Sequence, residues 1–151
     1  ISAPALTPAQ VALLDGAPRA VLATTRADGR PRLVPIAFAT DSATDRLRLY
    51  SALDEKPKSV ANPRDLARVR DIVERPRVSV LVDRWSDDWA ALAWLRLDGQ
   101  ATLLEPDDAA GEHARAVTLL RDRYAQYASQ RLEERPLIRV EVEAVTGWSA
   151  T

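Results

Sequence analysis

Two lysines separated by a proline, Lys56-Pro57-Lys58, make the clearest candidate for anion chemistry in the sequence. They sit in Asp54 to Pro63, a charged segment with two prolines that reads as a loop leaving a strand and entering a helix. Two ammonium groups beside the free N–H groups of a helix start can hold a phosphate. The same spacing also suits a solvated loop with two ordinary surface lysines. Both readings stay open on spacing alone.

Little else is equipped for chemistry. There is no Cys, which removes disulfides, thiolate zinc sites and cysteine nucleophiles. The single His, His113, gives no support to a His-rich metal site or a Ser-His-Asp triad. It falls off the apolar stripe of Ala110, Ala114 and Val117 on a predicted helix, so it reads as a solvated residue. No G-x-G-x-x-G follows a strand, no P-loop is present, and no carboxylate pair stands out. Such a chain suits a binding protein, or an enzyme whose cofactor supplies the reactivity. Arg64, Arg68, Arg70 and Arg75 read as a solvated helix face, or as one or two contacts to an anionic cofactor tail. Four Trp accompany a single Phe; Trp85, Trp89, Trp94 and Trp148 lie at or near strand ends. Core packing, a subunit interface and a wall for a ring-shaped ligand are all open to them.

The elements that must position these residues can be read in order. Thr7-Pro8 opens a helix that Gly16 ends. Ala20 to Thr25 is a strand, Asp28-Gly29 a hairpin turn, and Leu33 to Ala39 the returning strand. Pro31 and Pro35 lack a donor, which sends that strand to an edge or a bulge. Arg46 to Ser51 is a third strand, and Leu66, Val69, Ile72 and Val73 recur at helical spacing until Pro76. Val78 to Val82 is a buried strand. Ser86-Asp87-Asp88 turns the chain into a long strand, Leu92 to Leu104, with a bulge at Asp98-Gly99. Pro106-Asp107-Asp108 caps a helix to about Tyr127, and Leu137 to Val145 closes the fold.

Strands arriving as hairpin neighbours favour antiparallel pairing over a doubly wound sheet. The expectation is an α+β fold, mainly β with helices: an antiparallel barrel in one domain spanning 1–151. With 46% hydrophobic and 28% charged residues the profile is that of a soluble globular protein. A net charge of -1 leaves no global basic field for nucleic acid or membrane. No apolar run reaches the roughly 18 residues of a membrane span and no leader pattern opens the sequence, so a cytoplasmic protein is expected.

The order of these segments resembles the deazaflavin-dependent oxidoreductases within the pyridoxamine 5'-phosphate oxidase-like superfamily. The resemblance runs through Ala20 to Thr25, Asp28-Gly29-Arg30-Pro31, Val34-Pro35-Ile36 and Asp54-Glu55-Lys56-Pro57-Lys58. It continues through Arg75 to Asp83, Asp87-Asp88-Trp89, Trp94-Leu95-Arg96, Tyr124-Ala125-Gln126-Tyr127 and Gly147-Trp148-Ser149. It implies a split β-barrel homodimer with two sites at the subunit interface. It further implies that Val34, Pro35 and Ile36 line a cofactor ring. Tyr50, Ser51 and Ala52 would flank the ribityl chain, and Lys56 and Lys58 would bind the phosphate. The oxidase itself carries a Ser-Arg-Lys clamp where Glu55-Lys56-Pro57-Lys58 stands here. The implied cofactor is coenzyme F420, with FMN as the alternative. The implied activity is hydride transfer between the deazaflavin and a small-molecule acceptor. The alternatives are an FMN-binding flavin reductase or pyridoxamine phosphate oxidase, and a non-catalytic cofactor-binding protein. No metal site is expected.

Overall fold

The computed structural model describes residues 4–42, 46–53 and 61–151. The first helix, α1 (Pro8–Gly16), starts where its local chemistry dictates. Thr7 Oγ1 accepts from the Gln10 N–H at 3.2 Å, and Gln10 Oε1 accepts from the Thr7 N–H at 3.0 Å. The next two strands, β1 (Ala20–Thr25) and β2 (Pro31–Ile36), pair across the Asp28-Gly29 turn. There the Arg26 N–H donates to the Arg30 carbonyl at 2.8 Å, and Gly29 takes a positive φ of 86° that favours glycine. Then follow β3 (Ala39–Asp41), β4 (Arg48–Ala52), α2 (Ala67–Glu74), β5 (Arg77–Arg84) and β6 (Ala93–Leu104). After α3 (Glu112–Arg123), β7 (Leu137–Ser149) ends the fold.

All seven strands join one antiparallel sheet in the order β2-β1-β5-β6-β7-β4-β3. Its two edge strands, β2 and β3, are separated in sequence only by Ala37 and Phe38. Three Cα steps span at most about 11 Å. A flat seven-stranded sheet would hold its edges about 29 Å apart. The sheet must therefore curl until its edges approach at one seam, making a half-barrel. The strand expected at Leu33–Ala39 is thus two strands on opposite edges, because the chain crosses the seam in its middle. The edge position expected for the prolines at 31 and 35 is what β2 has.

The inward face of the curl forms the core. Leu22, Val80, Val82, Leu95, Leu97 and Val140 are fully buried, each contributing about 1.5–3 kcal/mol by leaving water. Leu13 and Leu14 of α1 and Val69 and Ile72 of α2 join them. Val73, expected on the same stripe, is exposed instead. A second cluster lies under α3 and includes Tyr50, Ala116, Val117 and Leu120.

Two expectations about the third helix fail. It starts at Glu112 and ends at Arg123 rather than near Tyr127. Asp108 caps it through the turn, with Oδ2 accepting from the Glu112 N–H at 2.7 Å. The buried face is His113, Ala116, Val117 and Leu120, with His113 one turn before Val117, while Ala114 is exposed and Ala110 lies outside the helix. His113 is buried, with Nε2 2.6 Å from the Arg135 carbonyl, and is not the solvated residue its apparent stripe suggested.

Candidate functional site

The seam is where the chain leaves backbone groups outside the ladder. In an antiparallel strand, successive residues point their N–H and C=O groups to opposite sides. Arg30 faces β1, since its carbonyl accepts from Arg26, so the even-numbered residues of β2 point that way. Pro31, Leu33 and Pro35 then present their backbones to the free edge. Two of these three residues lack an N–H, so the edge offers three carbonyl oxygens and a single donor, that of Leu33. Across the seam, β3 pairs with β4 only as far as Ala39 opposite Tyr50. Ser51 and Ala52 run beyond that ladder on the β3 side, while β7 pairs with them on the other.

The link between the edges is held from α3. The hydroxyl of Tyr124 accepts from the Phe38 N–H at 3.0 Å and donates to the Pro18 carbonyl at 3.2 Å. The Arg123 guanidinium lies 4.3 Å from the centre of the Phe38 ring and donates to the carbonyls of Leu14 and Ala17. One helix end thereby fixes α1, the start of β1 and the seam together. The resemblance touched Tyr124 only as part of a motif; nothing in local spacing marked Arg123.

Six of the eight expected site residues lie among the described ones. Ile36 is buried in the core and Val34 is half-buried against it, while Pro35 is exposed on the outer face. Tyr50, Ser51 and Ala52 are all buried. So Pro35 turns its backbone to the seam, whereas Val34 and Ile36 turn theirs to β1 and their side chains to the core. Ala39, three residues after Ile36, pairs with Tyr50, which draws the two groups toward one another. Lys56 and Lys58, with the rest of 54–60, lie outside the described residues.

Tyr50 is fixed by charge. Its hydroxyl donates to Glu112 Oε2 at 2.9 Å, and Arg139 and Arg48 reach the same carboxylate at 2.7 and 3.2 Å. Burial and the adjacent Glu112 carboxylate push the phenol well above its ordinary value, so it stays a donor. The Arg48 and Arg139 contacts bind β4 and β7 to α3.

A second polar cluster closes the far end of β1 and β2. Asp71 Oδ2 accepts from Thr24 Oγ1 at 2.6 Å and from Arg32 Nε at 2.8 Å, and Arg75 stands 3.6 Å from Oδ1. Burial alone would raise the Asp71 carboxyl, but these donors and cations outweigh it and hold it low. Arg75 also donates to the Thr25 carbonyl. The arginine run is therefore mixed, since Arg75 is committed here and Arg64 pairs with Glu105 at 2.6 Å.

The outer face of the sheet is bare. The register lines up Leu33, Ala23 and Ser79, then Pro35, Val21 and Leu81, across β2, β1 and β5. Leu33 is 67% exposed and Leu81 40%. A cleft of about 540 Å³ lies on this face, with Thr25, Arg77, Ser79, Asp98 and Gln100 in its lining. Ser79 donates to Asp98 there at 2.5 Å. The four Trp are not core: Trp85 and Trp89 are exposed, Trp148 half-exposed and Trp94 half-buried. Among the described residues there is no metal-ligating cluster and no helix long and apolar enough to cross a membrane.

Comparison with known proteins agrees with this architecture. The family described as pyridoxamine 5'-phosphate oxidase matches residues 6–149. No curated protein sequence matches the chain. A conserved hypothetical protein from Mycobacterium tuberculosis has a similar structure, with 18% identity and a TM-score of 0.70 over 97% of this chain and 86% of that one. The heme storage protein HutZ of Vibrio cholerae is 16% identical, with a TM-score of 0.68 over 97% of this chain and 95% of its own. A structure described as an F420 reductase is 22% identical, with a TM-score of 0.64 over 93% of this chain and 98% of its own. At these identities the likeness is one of fold.

Proposed function

Because the chain belongs to the pyridoxamine 5'-phosphate oxidase family, we propose that it holds a flavin-type cofactor, coenzyme F420, at the seam and serves as an oxidoreductase. In this reading a hydride passes between the deazaflavin ring and a small-molecule acceptor. The observation that carries it is the seam: a carbonyl-rich free edge on β2 faces a β4 segment whose backbone outruns its ladder. The sequence then runs directly into Lys56-Pro57-Lys58. A planar ring with N–H and carbonyl groups along its rim suits such an edge, and a phosphate suits the lysines.

When bound, the cofactor supplies the hydride chemistry. The chain's own residues orient and shelter it. Val34, Pro35 and Ile36 line the ring, with the edge-facing backbone of Pro35 meeting it; Tyr50, Ser51 and Ala52 flank the ribityl chain, and Lys56 and Lys58 take the phosphate. Tyr124 and Arg123 keep the link at Phe38 from drifting, and so keep the seam at one width. Two copies meet on the bare outer face, which brings a partner surface toward each site and excludes water. The absence of a Cys nucleophile and of an exposed His is then unremarkable, since the side chains perform no covalent step.

Titrating the protein with F420 and with FMN, followed by tryptophan fluorescence, tests this. Binding of F420 in the low-micromolar range (order of magnitude), with weaker FMN, is the expected result. Tight FMN and no F420 would replace the deazaflavin reading with a flavin one. Lys56→Ala with Lys58→Ala removes two charge-assisted contacts, each worth about 1.5–3 kcal/mol, so affinity should fall at least 100-fold or so. Unchanged affinity would show the phosphate to lie elsewhere. The competing reading is a non-catalytic carrier, favoured by the fold's likeness to a heme storage protein. It expects binding without turnover of any acceptor.

A further inference from the structure

Beside α1, on the side of β1 away from its hairpin, a cleft of about 370 Å³ opens between the helix and the end of β5. Its floor is apolar, with Ala12, Leu13, Ala17 and Pro18. Its rim carries Arg19, Asp83, Arg84 and Trp85. Three facts about this rim point to a ligand. The Trp85 side chain is 75% exposed on this rim, available to stack on a planar group. Arg19 makes no hydrogen bond or ion pair with any described residue, although Asp83 shares its cleft. Arg84, by contrast, is anchored: its Nε donates to the Ala91 carbonyl at 2.7 Å, at the rim of the cleft.

A flat aromatic wall, an apolar floor and two guanidinium groups against one carboxylate suit a planar aromatic molecule carrying a single negative charge. The ring lies on Trp85 and the apolar floor, and the anionic group takes the fork of Arg19. Asp83 repels a second negative charge and accepts from a hydroxyl or amine on the ring. We infer that the cleft between α1 and the end of β5 binds a planar aromatic carboxylic acid through Trp85 and Arg19. The cleft is lined by described residues and needs no cofactor. Its position is nonetheless close to the seam, since Ala20 pairs with Ile36 and Tyr124 joins Pro18 to Phe38.

The probes are naphthoate and its neutral amide, titrated calorimetrically into the cofactor-free chain, so that failure of the F420 reading leaves the result interpretable. Naphthoate should bind, and the amide should bind at least about tenfold more weakly. Arg19→Gln and Trp85→Ala should each weaken naphthoate by about tenfold or more, while Trp148→Phe leaves it unchanged. Both cleft substitutions are on exposed side chains, so an unchanged circular dichroism spectrum is expected for each. Equal affinity for acid and amide would overturn the inference. So would a lack of naphthoate binding, an unaltered Arg19→Gln or Trp85→Ala, or a loss confined to Trp148→Phe.

Discussion

Asp71 is where one carboxylate does the work of several contacts. It draws Thr24 of β1, Arg32 of β2 and Arg75 at the end of α2 to a single point. Arg32 is about one-third exposed and so screened by water, which puts the pairing at the low end for a buried ion pair. Replacing Asp71 by Ala should still cost about 3 kcal/mol, read by urea unfolding near neutral pH. The pH dependence follows from the depressed carboxyl. A carboxylate held below its unfolded value contributes stability above that value and loses it as pH falls through the folded one. The wild-type chain should therefore lose stability below roughly pH 4, and Asp71→Ala should lose less over the same range. An equally steep acid limb in the variant would remove Asp71 from the account. None of this was legible beforehand, because Thr24 and Asp71 are 47 positions apart and no motif joins them. His113 failed because two small residues, Ala110 and Ala114, read as the apolar stripe, while the buried face runs through His113, Ala116, Val117 and Leu120.

Elements marked by turn chemistry were legible, and those set by closure of the sheet were not. Asp28-Gly29 and Asp98-Gly99 announced a hairpin and a bulge, and the register does shift between Asp98 and Gly99. Ala37-Phe38 carries no Gly, Pro or Asn, so nothing local divides β2 from β3; only the need to cross the seam does. The apolar run beneath it reads as one strand. The bulge has a strict requirement. A Cβ built on Gly99 would stand 2.0 Å from the Glu141 carbonyl oxygen, a backbone atom that cannot swing aside. Gly99→Ala must push β6 from β7 at the most extensive pairing in the sheet. A loss of about 2–3 kcal/mol is expected in chemical denaturation. Gly16→Ala has open space around its Cβ and should change stability by no more than about 1 kcal/mol. Equal effects of the two would mean the bulge yields without cost.

At the scale of the molecule, the helices leave one face of the sheet uncovered. Leu13, Leu14, Val69 and Ile72 pack with the inward residues, and the outward rows of β2, β1 and β5 carry Leu33, Pro35, Val21, Ala23 and Leu81 beside Ser79. An antiparallel sheet with a wet outer face alternates apolar and polar residues. Here Val21, Ala23, Leu33, Pro35 and Leu81 break that rule on the outside. The core helices and the half-barrel could be anticipated from periodicity and turn signals, but the role of this face could not, because exposure is a property of the assembled sheet. If it is the surface on which two copies meet, charge placed at its centre must separate them. Leu33→Asp with Leu81→Asp does that at little cost to the single chain, since surface changes usually stay within about 0.5 kcal/mol. Sedimentation should show the wild type at about twice 16.6 kDa and the double variant at 16.6 kDa, with the same circular dichroism spectrum. Because the proposed ring site is completed by the partner, F420 affinity should fall with the dimer. A double variant that stays dimeric would move the interface to another face. One that becomes monomeric yet keeps full affinity would leave the seam of a single chain as the whole of the cofactor site.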